Sequence, residues 1–333
     1  MSFSPRTPSM RLLCPAKINL HLRVGPCRAD GFHPLLSWMG TVGLFDTLML
    51  GLSGAPAPAV PTGTAATGGH VATGGLQIAL ECDPPGLPCD ERNLIVRVAR
   101  AWPVEGAAPA GAAIVARLTK RTPVGAGLGG GSSNAARMVL ALDRLFPGSG
   151  GGRSTGELSA FAARFGSDLP FFLAGPSSVC AGRGEIVRPI AKPRPRWAVL
   201  VLPNVMMPTP DVYRRFDALG LGRMEHIERE PDWSQWTTLD ALSLLPLLAN
   251  DLELPALAIR PDLGEMRTRI ERLLGRPVRM SGSGSSLFTL FDGPAEARFA
   301  AQRLNDIPGS MKARIEVVEM TPDIRDDLHP AGA

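Results

Sequence analysis

Between Pro123 and Ala136 the chain reads PVGAGLGGGSSNAA, with Gly125, Gly127, Gly129, Gly130 and Gly131 inside seven residues. A segment this poor in side chains cannot build a core. Its glycines instead reach backbone conformations closed to other residues. Ala112 to Thr119, β-branched at its centre, predicts a strand leading in. Ala135, Met138, Val139, Leu142, Leu145 and Phe146 then recur at helical spacing, with Ser132 or Ser133 placed to cap that helix. A strand, a glycine loop and a helix in that order gather free N–H groups at a helix N-terminus, where a phosphate chain can bind.

The 333 residues favour two domains or one large one, and 44% hydrophobic with 20% charged residues describe a globular protein. A net charge of +4 without clusters, and only 5% aromatic residues, argue against a nucleic-acid partner. The five cysteines have no CxxC spacing, which argues against a disulfide framework or zinc ribbon and fits a reducing cytoplasm. Lys17, Asn19 and His21 interrupt any signal-like apolar run at the N-terminus. The apolar stretch 35–52 carries Gly40, Gly43 and Asp46, so it reads as paired strands and not a membrane span.

The pattern predicts strands at 11–24 (broken near Pro15), 36–42 and 47–50 around a turn at Asp46, 77–82 and 112–119. Helices are expected at 93–102 and 157–165, and a hairpin at 176–190. Residues 51–75, rich in Ala, Gly, Pro and Thr, read as a surface insertion. Composition shifts at Lys192-Pro193-Arg194-Pro195, where a domain boundary is placed, giving domains 1–190 and 195–320. Beyond it come a strand at 197–202, helices at 210–219, 239–248 and 262–274, strands at 278–280 and 287–291, a helix at 295–305 and a strand at 313–318. That order implies an α+β layer on an antiparallel sheet. The tail after Thr321 is expected to be loose.

Three phosphate loops compete for the glycine segment. Gly125, Gly127 and Gly130 satisfy a dinucleotide GxGxxG, but the acid that should end a second strand is Asp143, inside the amphipathic helix. Gly125 and Gly130 have Walker spacing, but Gly131 stands where the lysine belongs. A longer glycine-serine loop holding a nucleotide triphosphate uses every residue. Elsewhere, Lys17 lies inside the apolar strand A-K-I-N-L of a chain with only four lysines, and reads either as a functional cation or as a snorkelling one. Asn19 shares its strand face. Asp168 is either a helix N-cap or a buried acid. Phe32 and His33 follow the turn signal Asp30-Gly31 and could stack on and hydrogen-bond a base, or fold into the core. SGSGSS at 281–286 is by itself an ordinary hairpin.

PVGAGLGGGSSNAA closely resembles the ATP loop of the GHMP kinase superfamily. PAKINLHLRV (15–24), RADGFHPL (28–35), FGSDLPFFLAG (165–175), NDLELPAL (250–257) and MSGSGSSLF (280–288) resemble further blocks of one branch of it, in order. The resemblance implies a two-domain GHMP kinase fold, an N-terminal ATP-binding domain and a C-terminal ferredoxin-like substrate domain, with a cleft between them. It implies ATP-dependent phosphorylation of the 2-hydroxyl of 4-diphosphocytidyl-2-C-methyl-D-erythritol in non-mevalonate isoprenoid precursor synthesis. Lys17 and Asp168 become the catalytic pair. Pro123, Val124, Gly125, Ala126, Gly127, Leu128, Gly129, Gly130, Gly131, Ser132 and Ser133 hold ATP. Asn19, Phe32, His33, Thr209 and Tyr213 (the sole tyrosine) hold substrate, with Phe32 and Tyr213 sandwiching cytosine. Phe32 stands where the family usually has tyrosine. Gly282, Ser283 and Gly284 close over the phosphates. Mg2+ is expected with ATP, Ser132 or Ser133 offering a hydroxyl and no acidic ligand being assignable. The partner is the cytidine diphosphate-linked small molecule, with no nucleic acid and no membrane, and the protein a cytoplasmic monomer or weak homodimer. Other readings are a GHMP-type kinase of a smaller alcohol, a catalytically silent nucleotide-binding protein and, behind these, a dinucleotide oxidoreductase.

Overall fold

The computed structural model describes residues 10–53, 76–103, 113–148, 151–306 and 313–329. The 51–75 insertion therefore lies almost wholly outside the described residues. Strands β1 (Met10–Val24) and β2 (Leu35–Ser53) pair antiparallel along nearly their whole lengths. On its other edge β2 pairs with two strands. Its C-terminal half meets β4 (Ala113–Thr119), which β3 (Gln77–Asp83) joins in parallel through helix α1 (Leu94–Ala101). Its N-terminal half meets β5 (Ser177–Ala181), itself paired with β6 (Ile186–Pro189). Between β4 and β5 lie α2 (Gly130–Leu145), α3 (Thr155–Ala162) and α4 (Leu169–Ala174).

Two expectations about this sheet are corrected. The segments 36–42 and 47–50 are one strand, because Asp46 does not make a turn. It is fully buried and accepts N–H groups from Arg121 (2.7 Å) and Thr122 (2.8 Å), the Asn134 amide (2.9 Å) and the Lys120 ammonium. Nor does Pro15 break β1. The register shifts between Pro15 and Ala16, where the extra residues of a bulge sit on β2, and pairing resumes.

The second half follows the order β7 (Trp197–Pro203), α5 (Thr209–Ala218), α6 (Met224–Glu228), α7 (Trp233–Thr238), α8 (Ala241–Leu244), α9 (Glu253–Ile259), α10 (Pro261–Leu274), β8 (Arg279–Met280), β9 (Leu287–Phe291), α11 (Pro294–Asn305) and β10 (Ala313–Glu319). Its strands lie β10-β7-β9-β8, all antiparallel, which is the βαββαβ arrangement of a ferredoxin-like layer. The helix expected at 239–248 is shorter, since Pro246 converts its second turn to a 3₁₀ segment at Leu245–Leu247. Ala16, Ile18, Leu20 and Trp38 of the first sheet share one apolar cluster with Leu200, Phe288, Leu290 and Val318 of the second. The two sheets are thus joined by a common core, with a cleft beside it.

The tail after Thr321 is not loose. Asp326, buried, accepts the guanidinium of buried Arg137 at 2.6 Å and the Leu13 N–H at 3.0 Å, while Asp327 accepts from Arg11 N–H at 2.6 Å. Asp143 remains inside α2, where it accepts from Arg153, as the case against a dinucleotide loop requires.

Candidate active site

The glycine loop leaves β4 and enters α2 through Gly129, whose φ of +66° makes it the N-cap. The expected serine cap is therefore replaced, and Ser132 and Ser133 lie in the first turn. A left-handed glycine turns the chain into the helix without a side chain across the N–H groups of Gly130, Gly131 and Ser132, which have no carbonyl four residues back within the helix. Gly129 has a second constraint. A Cβ there would lie 3.0 Å from Lys17 Cγ and 3.1 Å from Phe172. Gly127, at φ +76°, packs backbone to backbone on the second glycine loop, and a Cβ would run into the Ser281 carbonyl oxygen and lie 3.1 Å from that of Gly284. Ser281 Oγ donates to Gly127 O (2.9 Å), and Ser286 N–H donates to Ala126 O (3.2 Å). Asn250 holds the second loop in turn, its amide donating to Met280 O and Gly282 O.

Both loops line one cavity of about 880 Å³ between the two sheets. Lys17 reaches it from β1, where its own N–H donates to Leu128 O at 2.9 Å. Its ammonium is buried, donates to Asn19 Oδ1 and lies 3.6 Å from Asp168 Oδ2. Asn19, two residues along the same strand face, donates to Ser37 Oγ (2.8 Å) and through its backbone to Ser281 Oγ (3.1 Å). Asp168 sits at the N-cap of α4, yet its carboxylate makes no capping hydrogen bond. It is a third exposed and faces the cavity. The alternative use of this carboxylate, as a helix cap, is therefore absent.

On the second half's side, Thr209 hydrogen-bonds Ser283 Oγ at 2.9 Å, and both line the cavity with Gly282. Tyr213 packs its ring 5.0 Å from that of His33. Burial, then the nearby charge of Asp168, pushes its phenol up to about 12, so it stays neutral. Phe32 is 48% exposed, with the Arg183 guanidinium 4.8 Å above its ring. Both Phe32 and Tyr213 line the cavity, but their immediate ring partners are Arg183 and His33. His33 is nearly buried. Its Nδ1 faces Gly25 O at 2.9 Å and its Nε2 lies 3.4 Å from Asp217, so its side chain already has partners.

Pro123 to Ser132 all line the cavity. Ser133 and Gly284 stand behind the lining, Ser133 being fully buried. The sequence reading missed Lys120, whose ammonium spans Asp46 and Asn134 Oδ1 (3.2 Å) beside Gly130. It also missed the far wall, where Leu87, Pro88 and Leu94 give apolar surface beside Arg92 and Asn93, next to the glycine loop. The position of Lys120, at the end of the strand that leads into the loop in a chain so poor in lysine, was the available signal.

This arrangement offers an ammonium and a carboxylate at one point and N–H groups at a helix start at another. Apolar and aromatic walls lie at both ends. Such a cavity suits a phosphorylated nucleotide at one end and a ring-bearing alcohol at the other.

Comparison with known proteins agrees. Residues 93–176 match the family model described as GHMP kinases N terminal domain, and 232–308 that described as GHMP kinases C terminal. The chain is 37% identical over 297 residues to a 4-diphosphocytidyl-2-C-methyl-D-erythritol kinase of Thermus thermophilus, covering 89% of this chain and 92% of that one. It is 35% identical over 307 residues to the enzyme of that name from a Synechococcus strain, covering 87% and 90%. A crystal structure of a 4-(cytidine 5'-diphospho)-2C-methyl-D-erythritol kinase superposes with a TM-score of 0.67 at 34% identity, over 94% of this chain and all of that one. Homoserine kinase from Cytophaga hutchinsonii shares the fold, with a TM-score of 0.63 at 18% identity over 98% and 99%.

Proposed function

The chain belongs to the 4-diphosphocytidyl-2-C-methyl-D-erythritol kinase family of GHMP kinases, and we propose that it moves the γ-phosphoryl group of ATP to the 2-hydroxyl of that cytidylyl alcohol, a step of isoprenoid precursor synthesis. The observation that carries the site assignment is the Lys17–Asp168 pair, 3.6 Å apart in the cavity that both glycine loops line.

The glycine loop and the start of α2 supply N–H groups to the phosphates, and the apolar end at Leu87, Pro88 and Leu94 takes the purine. Phe32 and Tyr213 supply ring faces for cytosine, with Asn19 and Thr209 beside the substrate. Asp168 accepts the proton of the attacking hydroxyl as the new O–P bond forms and the bond to the β-phosphate oxygen breaks, releasing ADP. Lys17, held by Asn19, orients the hydroxyl and offsets charge on the moving phosphoryl group. Ser132, cavity-facing, offers a hydroxyl oxygen that would suit Mg2+, which would neutralise phosphate charge when bound. Ser133 does not reach the cavity, so the hydroxyl ligand is assigned to Ser132.

We assign residues 1–190 to the ATP-binding domain and 195–320 to the substrate domain. The setting we assign is the cytoplasm, as a monomer or weak homodimer. Five free cysteines suit that compartment, and no helix among the described residues is long and apolar enough to cross a membrane.

The test is ATP consumption with 4-diphosphocytidyl-2-C-methyl-D-erythritol, set beside mevalonate and homoserine. Turnover of a small alcohol alone overturns the substrate. Asp168→Asn is expected to lower kcat by about 10²–10⁴-fold with the KM for ATP nearly unchanged. Near-normal turnover removes Asp168 from the chemistry.

A further inference from the structure

We propose that Cys27, His33 and Asp217 form a binding site for one divalent cation of borderline softness, Zn2+ or its analogue Co2+, at the substrate end of the cavity. Their ligand atoms all lie within 4.8 Å of one another. The proposal rests on this geometry alone and stands whether or not cytosine is what Phe32 and Tyr213 hold.

The chemistry turns on His33, which is nearly buried. Its Nδ1 lies 2.9 Å from the carbonyl oxygen of Gly25, and a ring nitrogen facing a carbonyl must carry the proton. In the neutral ring Nε2 then presents a lone pair. What it faces, at 3.4 Å, is the carboxylate of Asp217, which when ionised only accepts. Two acceptors opposed in this way need a positive charge between them. A proton on Nε2 is one solution. The thiol of Cys27 points to the other, because thiolate, imidazole and carboxylate together are a zinc donor set, with the carbonyl on Nδ1 as the outer partner that fixes ring and tautomer.

The spacing is compatible. Metal–ligand bonds of about 2.0–2.3 Å put ligand atoms of a tetrahedral site roughly 3.3–3.8 Å apart. Closing from 4.8 Å needs a shift of about 1 Å to reach that range, and His33 need not move. Cys27 and Asp217 are both exposed, and the thiol has only a weak 3.6 Å contact to Arg28 O to give up. Three protein ligands leave a fourth position for water. Cys27 and His33 belong to the connection between β1 and β2, whereas Asp217 is on α5, so the ion would fasten the first half of the chain to the second.

The experiment is a Co2+ titration of the metal-stripped full chain, followed by absorption. The expected result is a near-ultraviolet thiolate-to-cobalt band that saturates at one equivalent and is displaced by Zn2+. Cys27→Ser is expected to remove the band and weaken Zn2+ binding by more than the roughly 10–100-fold that loss of an outer-shell partner costs. Asp217→Asn should weaken binding, and Cys82→Ser should leave the band intact. Thermal melts on the same samples check folding, and Zn2+ should raise the Tm of the wild type but not of Cys27→Ser. Absence of the band in the wild type, its survival in Cys27→Ser, or its loss in Cys82→Ser overturns the site.

Discussion

Gly127 and Gly131 stand four residues apart in one loop, and alanine at each should have opposite consequences. Gly127 has φ +76°, so alanine there adopts a left-handed conformation that costs about 1–2 kcal/mol. Its methyl would also run into the Ser281 carbonyl oxygen and force the two glycine loops apart. That separation breaks the bonds from Ser281 Oγ to Gly127 O and from Ser286 N–H to Ala126 O, each contributing about 1 kcal/mol. The expected loss is about 3–4 kcal/mol, lowering Tm by roughly 4–6 °C. Gly131 is helical, and a Cβ there meets nothing nearer than Leu94 Cδ1 at 4.0 Å. Alanine should stabilise the first turn of α2 by about 0.5–1 kcal/mol. Its methyl nevertheless enters the cavity where phosphates would lie, so the KM for ATP rises. Circular-dichroism melts and ATP titrations of both variants decide the matter. A Gly127→Ala protein melting with the wild type, or a Gly131→Ala protein melting well below it, would refute the assignment of one glycine to loop packing and the other to ligand space.

Tyr213→Ala should raise the KM for the cytidylyl substrate by the equivalent of about 1–3 kcal/mol and leave that for ATP nearly unchanged, and steady-state kinetics showing the reverse reject the stacking role. Lys120→Met leaves the fully buried Asp46 without its cation and should cost about 3–5 kcal/mol in urea unfolding; a loss under about 1 kcal/mol means that the N–H groups of Arg121 and Thr122 suffice. His21 accepts the Ala249 N–H on Nδ1, and burial, followed by Arg23, lowers its pKa to about 4. The unfolded imidazole takes its proton near its ordinary value of 6.5 and the folded one resists it. Stability from this group is therefore complete above about pH 6.5 and falls by about 3 kcal/mol as pH drops to about 4. Urea midpoints across that range should show this fall, and His21→Gln should flatten it.

The parts of this fold that local pattern encodes were legible. The strand, glycine loop and helix are contiguous, and the βαββαβ order of the second half is written in successive segments. What escaped were features set by distant partners. Asp46 looks like a turn residue, and only partners 74 to 88 positions away, Lys120, Arg121, Thr122 and Asn134, make it a strand interior. Gly129 took the cap from two serines because the turn required a left-handed residue, which outranks a hydroxyl. His33 lay on an exposed-looking turn, yet Gly25, Tyr213 and Asp217 occupy its surroundings. Lys17 and Asp168 were located by motif, but their separation needed the whole first sheet and α4 to be in place.

The bond between Arg137 and Asp326 joins residues 189 positions apart. On a ribosome the N-terminal residues emerge first and begin folding while the remainder is unmade. A nascent chain that has reached β6 holds every strand of the first sheet, but the guanidinium in its α2 has no carboxylate to meet. Release of residue 326 from the exit tunnel supplies that carboxylate, and the Leu13 N–H gains its acceptor at the same moment. The first sheet, made early, thus completes its interior only once residue 326 is in place, and a truncation before that residue leaves the Arg137 charge without its carboxylate.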